Sequence, residues 1–215
     1  MKLTYFNGRG LAEVSRILLA LGKEEYEDYR YPLKIIDMSK HQMEKEEFEK
    51  DKSEGKLVSS MNKLPSLEVE GVVIPQSKSI ERYLGKRFCL MGTSDLESAK
   101  VDSLCECVRD FKDSYQPVRK SENKDVAMTQ WFTETLVEKL RVFENLMGDT
   151  VGFSVGEKLS LSDVVIYAFI TQFFDNKEAS LNATLATPKI RAIVDAVAKS
   201  PEVVAWLQKR PDTPF

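Results

Sequence analysis

Apolar residues recur along this chain in two rhythms, and the change from one to the other divides it. Lys2–Phe6 reads as a short strand, and the following apolar positions Val14, Ile17, Leu18 and Leu21 fit one face of a helix. Gly22 is placed to stop that helix, and Glu25–Tyr31 alternates weakly as a second strand. A strand, a short helix and another strand imply a parallel pair joined by a right-handed crossover. Pro65–Val69 and Val72–Ile74, turned by Glu70-Gly71, add two antiparallel strands, which a helix over 77–88 covers. Between these halves, Pro32–Ser60 is dense in Lys and Glu and reads as a solvated helix-and-loop insertion. Residues 1–90 therefore predict a βαβ-α-ββα unit with a mixed four-stranded sheet.

Past Met91-Gly92-Thr93, a candidate linker, only the helical rhythm continues. Ser94-x-x-Glu97 is a capping box, followed by Val101, Leu104, Val108, Phe111 and Tyr115 at spacings of three and four. Phe132, Leu136, Leu140, Phe143 and Met147 mark a second long helix stopped by Gly148. Ser160-x-x-Asp163 is another capping box, with Leu159 and Val164 placed as its hydrophobic staple. Val164, Val165, Ala168 and Phe169 make the next helix apolar around much of its circumference, so it should be central and buried. Thr187-Pro188 and Ser200-Pro201 each pair an N-cap residue with proline at the first helical position. Residues 94–215 thus predict an all-α bundle.

Composition narrows the function classes. The 215 residues carry 31 Lys and Arg against 34 Asp and Glu, a net charge of −3 that argues against a broad nucleic-acid surface. The longest apolar candidate, VVIYAFI, is far short of the ~18 residues of a membrane helix, and the N-terminus lacks the apolar core of a signal peptide. The cysteines, Cys89, Cys105 and Cys107, are odd in number and match no framework spacing, and the lone His41 cannot complete a metal cluster with them. They read as buried or half-buried thiols of a reducing compartment, which places the protein in the cytoplasm.

Candidate chemistry concentrates in Asn62–Leu84. Unpaired N–H groups and the positive end of the dipole make the Gln76-Ser77 helix start a place to hold a carboxylate or phosphate. Pro65 constrains Leu64 to an extended conformation, leaving its backbone available to another chain or a peptide. Together these suggest a site for a small acidic peptide.

The N-terminal LTYFNGRGLAE, the segment KLPSLEVEG and the run QSKSIERYL resemble the cytosolic glutathione transferases, most closely their sigma class. The helical half agrees through KVDSL, LSLSDV and PEVVAWLQKRP, so the resemblance spans nearly the whole chain. It implies a thioredoxin-like N-terminal domain that binds glutathione, and a helical domain that contributes the electrophile site and dimer contacts. Tyr5 matches the tyrosine whose hydroxyl hydrogen-bonds the glutathione sulfur, favouring the reactive thiolate of a thiol whose free pKa is ~8.5. Leu64 would pair through its backbone with the cysteinyl part, with the Leu64–Pro65 bond cis. Gln76 and Ser77 would hold the γ-glutamyl group, and Asp102 would reach across the dimer toward the partner's ligand. The glycine end falls on Phe48 and Lys52, or on Lys63 nearby.

Two positions depart from the family pattern. Phe48 stands where tryptophan is usual, losing an indole N–H donor. Leu11 stands where the sigma class usually carries an arginine near the active site, leaving Arg9 as the nearby cation of the motif. The implied activity is conjugation of glutathione, the co-substrate, to hydrophobic electrophiles by a homodimer without metal or redox cofactor. Alternatives are a glutathione-dependent prostaglandin isomerase, or a non-catalytic binding or structural protein on the same fold; fold alone does not decide. Neither nucleic acid nor membrane is an expected partner.

Overall fold

In a computed structural model, residues 1–37, 42–148 and 152–213 are described. The chain packs into two units, Met1–Leu84 joined by the C-terminal residues from Arg210, and Gly85–Lys209. His41 lies outside the described residues.

In the first unit β1 (Lys2–Phe6) pairs parallel with β2 (Glu27–Tyr31), and α1 (Glu13–Leu21) forms the crossover. The hairpin of β5 (Ser66–Val69) and β6 (Val72–Pro75) joins the other side of β1, giving the mixed order β2-β1-β5-β6. Pleating sends alternate residues of β1 to opposite faces, and Leu3 is fully buried. The one-faced reading of α1 is too narrow, because Glu13, Ser15 and Arg16 are buried together with Val14, Ile17 and Leu18. Burial of these charges requires partners. Arg16 donates to Asp28 Oδ1 at 3.2 Å and to the Gly8 carbonyl at 2.6 Å, while Glu13 receives Arg210.

The insertion also holds more structure than its charge density predicts. A second sheet, β3 (Lys34–Asp37) with β4 (Gln42–Glu44), precedes α2 (Glu46–Ser53) and a 3-10 turn at Val58–Ser60. Lys34 and Glu44 are cross-strand partners and form a 2.9 Å ion pair. Most charges of α2 face water as expected, but Phe48 and Leu57 are buried with Tyr31. The ring of Phe48 meets Phe6 edge-on at 5.0 Å and Tyr31 at 5.7 Å between centroids. A single aromatic among charges anchors the segment, since burying a phenylalanine contributes about 1.5–3 kcal/mol. From the hairpin the chain enters α3 (Ser77–Arg87), and the division between the units falls within this helix.

The second unit is helical, with α4 (Asp95–Arg119), α5 (Lys124–Gln130), α6 (Leu136–Glu144), α7 (Leu161–Ala168), α8 (Lys177–Asn182), α9 (Pro188–Ala198) and α10 (Pro201–Lys209). Every residue of α7 is buried, as its all-round apolar pattern requires. The Ser160–Asp163 capping box forms in full. The Ser94 box forms by half: its hydroxyl accepts the Glu97 N–H, while the Glu97 carboxylate takes the Thr93 N–H and hydroxyl instead. The predicted second helix starts earlier and stops sooner, at Glu144, and its turns widen to π geometry at Trp131–Thr135. Thr187 does not cap α9 by its side chain; its hydroxyl donates to the Thr184 carbonyl. The Glu144 carboxylate accepts the Lys189 and Ile190 N–H groups, supplying the anion that this helix start favours.

Candidate functional site

Cross-strand register brings three distant pieces of sequence to one end of the sheet. Thr4 pairs with Ser66, and Ser66 pairs with Pro75. Adjacent strands lie ~4.8 Å apart. Tyr5 follows Thr4, Pro65 precedes Ser66 and Gln76 follows Pro75, so all three leave the ladder side by side. The Leu64–Pro65 bond is cis, as the resemblance implies. Leu64 lies before the first paired residue of β5, which leaves it outside the register.

Tyr5 is held by the loop that follows its own strand. The Leu11 N–H donates to the Tyr5 hydroxyl oxygen at 3.1 Å, which leaves the hydroxyl proton free to be donated elsewhere. Gly10 makes this approach possible: its φ is +38°, and a Cβ there would stand 2.5 Å from the Tyr5 hydroxyl. Burial raises the Tyr5 pKa, opposed by the Leu11 N–H and by the charge of Arg16. The phenol is therefore a proton donor at neutral pH. Arg16 stands 5.9 Å from the Tyr5 ring centroid, so a cation lies beside the tyrosine although position 11 carries leucine. Arg16 also fixes the loop through the Gly8 carbonyl and is itself oriented by Asp28, which Arg30 grips from the other side at 2.7 Å.

The helix start lies one strand beyond Pro65. Gln76 has φ +71°, a left-handed backbone costing a non-glycine residue on the order of 1–2 kcal/mol, and its carbonyl accepts the Ile80 N–H. Ser77 is thus the first residue of α3 rather than its cap. Gln76 is exposed and Ser77 half-buried, at the end of an eleven-residue helix where N–H groups and dipole favour an anion.

The remaining candidates stand elsewhere. Phe48 is 5% exposed within the aromatic cluster, and Lys52 lies 6.0 Å from its ring and pairs with Glu49 at 3.6 Å. Lys63 is exposed in the turn before Leu64. Asp102 belongs to the other unit, half-buried on α4. Of the cysteines, Cys105 is buried and Cys107 half-buried, but Cys89 is exposed, contrary to the expectation for these thiols. Among the described residues no group of His, Cys, Asp and Glu could hold a metal, and no helix is long and apolar enough to cross a membrane.

Sequence reasoning overlooked Gly10, Arg16 and Lys45. Gly10 was legible only as part of a turn. Arg16 interrupts the buried run Val14–Leu19, a signal that a paired charge is enclosed there. Lys45 was one lysine among many, yet with Tyr5, Phe6, Gly8, Gly10, Leu33 and Met43 it lines a cavity of about 280 Å³.

Comparison with known proteins agrees with this arrangement. Residues 1–86 match the family description "Glutathione S-transferase, N-terminal domain", and residues 109–210 match "Glutathione S-transferase, C-terminal domain". The chain is 33% identical to a hematopoietic prostaglandin D synthase of Gallus gallus, over 99% of this chain and 97% of the relative. It is 28% identical to an S-crystallin of Nototodarus sloanii, over 99% and 98%. Among solved structures, a monomeric glutathione S-transferase of the hookworm Necator americanus superposes with a TM-score of 0.80 at 28% identity, covering 100% of this chain and 98% of that one. With these similarities running the length of a chain whose sheet end carries Tyr5, a cis Leu64–Pro65 bond and the Gln76–Ser77 helix start, the protein belongs to the glutathione S-transferase family.

Proposed function

We propose that the protein conjugates glutathione to hydrophobic electrophiles: the thiol gives up its proton to solvent, and the Tyr5 hydroxyl, keeping its own proton, hydrogen-bonds the sulfur and so favours the thiolate. The observation that carries this reading is the Tyr5 hydroxyl itself: its oxygen is occupied by the Leu11 N–H, its proton is unspent, and it opens on an apolar cavity. The thiolate attacks the electrophilic carbon, a C–S bond forms, and the leaving group departs with its electron pair. The Leu64 backbone lies along the cysteinyl part, with Pro65 fixing its direction. Gln76 and Ser77 hold the γ-glutamyl carboxylate at the α3 start. Phe48 shapes the wall at the glycine end, where Lys52 and Lys63 supply cations. Asp102 serves a partner's ligand in a homodimer, a state in which this chain would differ from the hookworm structure described as monomeric. The protein works in the cytoplasm without metal or redox cofactor, glutathione being its co-substrate.

Conjugation of glutathione to chlorodinitrobenzene, followed by absorbance, tests this reading. Turnover above the uncatalysed rate is expected. Glutathione binding without turnover would overturn the transferase reading in favour of a binding or structural protein, the alternative that the S-crystallin relative represents. The prostaglandin D synthase relative favours isomerisation as a second reading, for which the same activated thiolate would serve.

Gly10→Ala is expected to lower kcat at least ten-fold with a smaller change in KM for glutathione. The added Cβ would meet the Tyr5 hydroxyl at 2.5 Å, and φ of +38° already disfavours a side chain. Misplacing a catalytic group by ~1 Å can cost 10²-fold. Initial rates at varied glutathione check the split; a variant at wild-type kcat would show that the hydroxyl position is not critical.

A further inference from the structure

We infer that Lys45, presented beside the β3–β4 hairpin, makes this chain selective for small aromatic electrophiles that carry a carboxylate; the inference rests on the transferase reading above. The cavity beside Tyr5 has two walls. Tyr5, Phe6, Gly8 and Gly10 come from β1 and the loop after it, whereas Leu33, Met43 and Lys45 come from the hairpin and its flanks. Leu33 precedes β3, Met43 pairs with Ile35 across the hairpin, and Lys45 follows β4 directly. The hairpin therefore builds half of the pocket that the Tyr5 proton faces.

Among the described lining residues, Lys45 is the one formally charged side chain. Apolar pockets take their specificity from a few placed polar groups, so a single cation in an otherwise apolar lining selects an apolar molecule with one anionic group. The ammonium is kept over the cavity by aromatic faces, 5.8 Å from the Phe6 ring centroid and 5.3 Å from that of Phe48. Its ion-pair partner, Glu49, lies 3.4 Å away with both side chains over two-fifths exposed, a weak pair that an incoming carboxylate can share or displace. Of the other acids nearby, Glu44 pairs with Lys34, Glu47 accepts the Tyr29 hydroxyl, and Glu46 is exposed to solvent. A volume of about 280 Å³ falls just below the usual range for drug-sized ligands, which begins at about 300 Å³, and suits a single substituted ring.

Two electrophiles of equal shape separate this from the general reading: a chloronitrobenzoate and the matching chloronitrobenzamide. In both, the glutathione sulfur attacks the carbon bearing chlorine, the C–S bond forms and chloride leaves with the bonding pair. At saturating glutathione, the benzoate-to-benzamide ratio of kcat/KM is expected to fall about ten-fold in Lys45→Gln and to stay within about two-fold of wild type in Lys45→Arg. A ratio unchanged in Lys45→Gln overturns the inference alone. So does an equal loss on both electrophiles caused by a raised KM for glutathione, because Lys45 would then hold the glycine carboxylate of glutathione. A wild type inert toward both compounds yet active on chlorodinitrobenzene overturns this inference alone, and one inert toward all three overturns the transferase reading with it.

Discussion

Tyr5→Phe is expected to lower kcat/KM for conjugation ten- to a hundred-fold while leaving glutathione affinity within about three-fold. The variant keeps the ring but removes the hydroxyl that would hydrogen-bond the sulfur, together with the acceptor of the Leu11 N–H. A hydrogen bond to a charged acceptor contributes about 1.5–3 kcal/mol, and ~1.4 kcal/mol is a factor of ten, which sets the range. The pH profile distinguishes this from a structural loss. A donor that prefers the thiolate lowers the pKa of the bound thiol, so wild-type activity should rise with pH below the free-thiol value of ~8.5. In Tyr5→Phe the rise should shift upward toward that value. Burial raises the Tyr5 pKa above that of an ordinary phenol, so Tyr5 stays protonated at neutral pH and the rise on the acid limb belongs to the thiol. Rate profiles between pH 6 and 10 check both arms, and an unshifted limb in the variant would remove Tyr5 from thiol activation.

Asp163→Ala is expected to destabilise the protein by about 3–5 kcal/mol. The residue is fully buried, and its carboxylate accepts the Ser154 N–H at 2.7 Å, the Ser160 N–H at 2.8 Å and the Ser160 hydroxyl at 2.8 Å. Removing the acceptor strands two buried backbone N–H groups, each worth about 1–3 kcal/mol when left unmade. An ordinary exposed cap would cost only ~1 kcal/mol. Asp163 is more than a cap, since it also ties the loop at Ser154 to the start of the wholly buried α7. Urea unfolding read by circular dichroism should show a lower midpoint for Asp163→Ala and an intermediate one for Asp163→Asn, which retains one acceptor oxygen. A midpoint equal to wild type for Asp163→Ala would show that water or another group replaces the carboxylate.

Both residues were visible in the sequence, one as the tyrosine of LTYFNGRG and the other as the last member of Ser-x-x-Asp. Neither showed what makes it effective. The proton of Tyr5 is free for sulfur because the N–H of Leu11 occupies its oxygen, and Leu11 drew attention only for the side chain it lacks. The Pro32–Ser60 insertion was misread for a similar reason. Its abundant Lys and Glu describe the solvated face, while Phe48 and Leu57, buried with Tyr31, anchor it.

Period-two and period-3.6 patterns were enough to locate β1, β2, the β5–β6 hairpin, α1, α3 and α7. Such patterns, like turns and the Ser160 box, arise from interactions within a few residues of chain, which a linear string displays directly. Tertiary structure alone decided the alignment of Tyr5, Pro65 and Gln76 at one sheet end and the enclosure of Arg16 with Asp28 and the Gly8 carbonyl. It also decided the capping of α9 by Glu144, 45 residues before Lys189. Those arrangements pair groups far apart in sequence, whose choice of partner depends on which other groups are already buried. Local propensity is blind to that competition, so the chain specified the elements and the tyrosine, and packing specified the site.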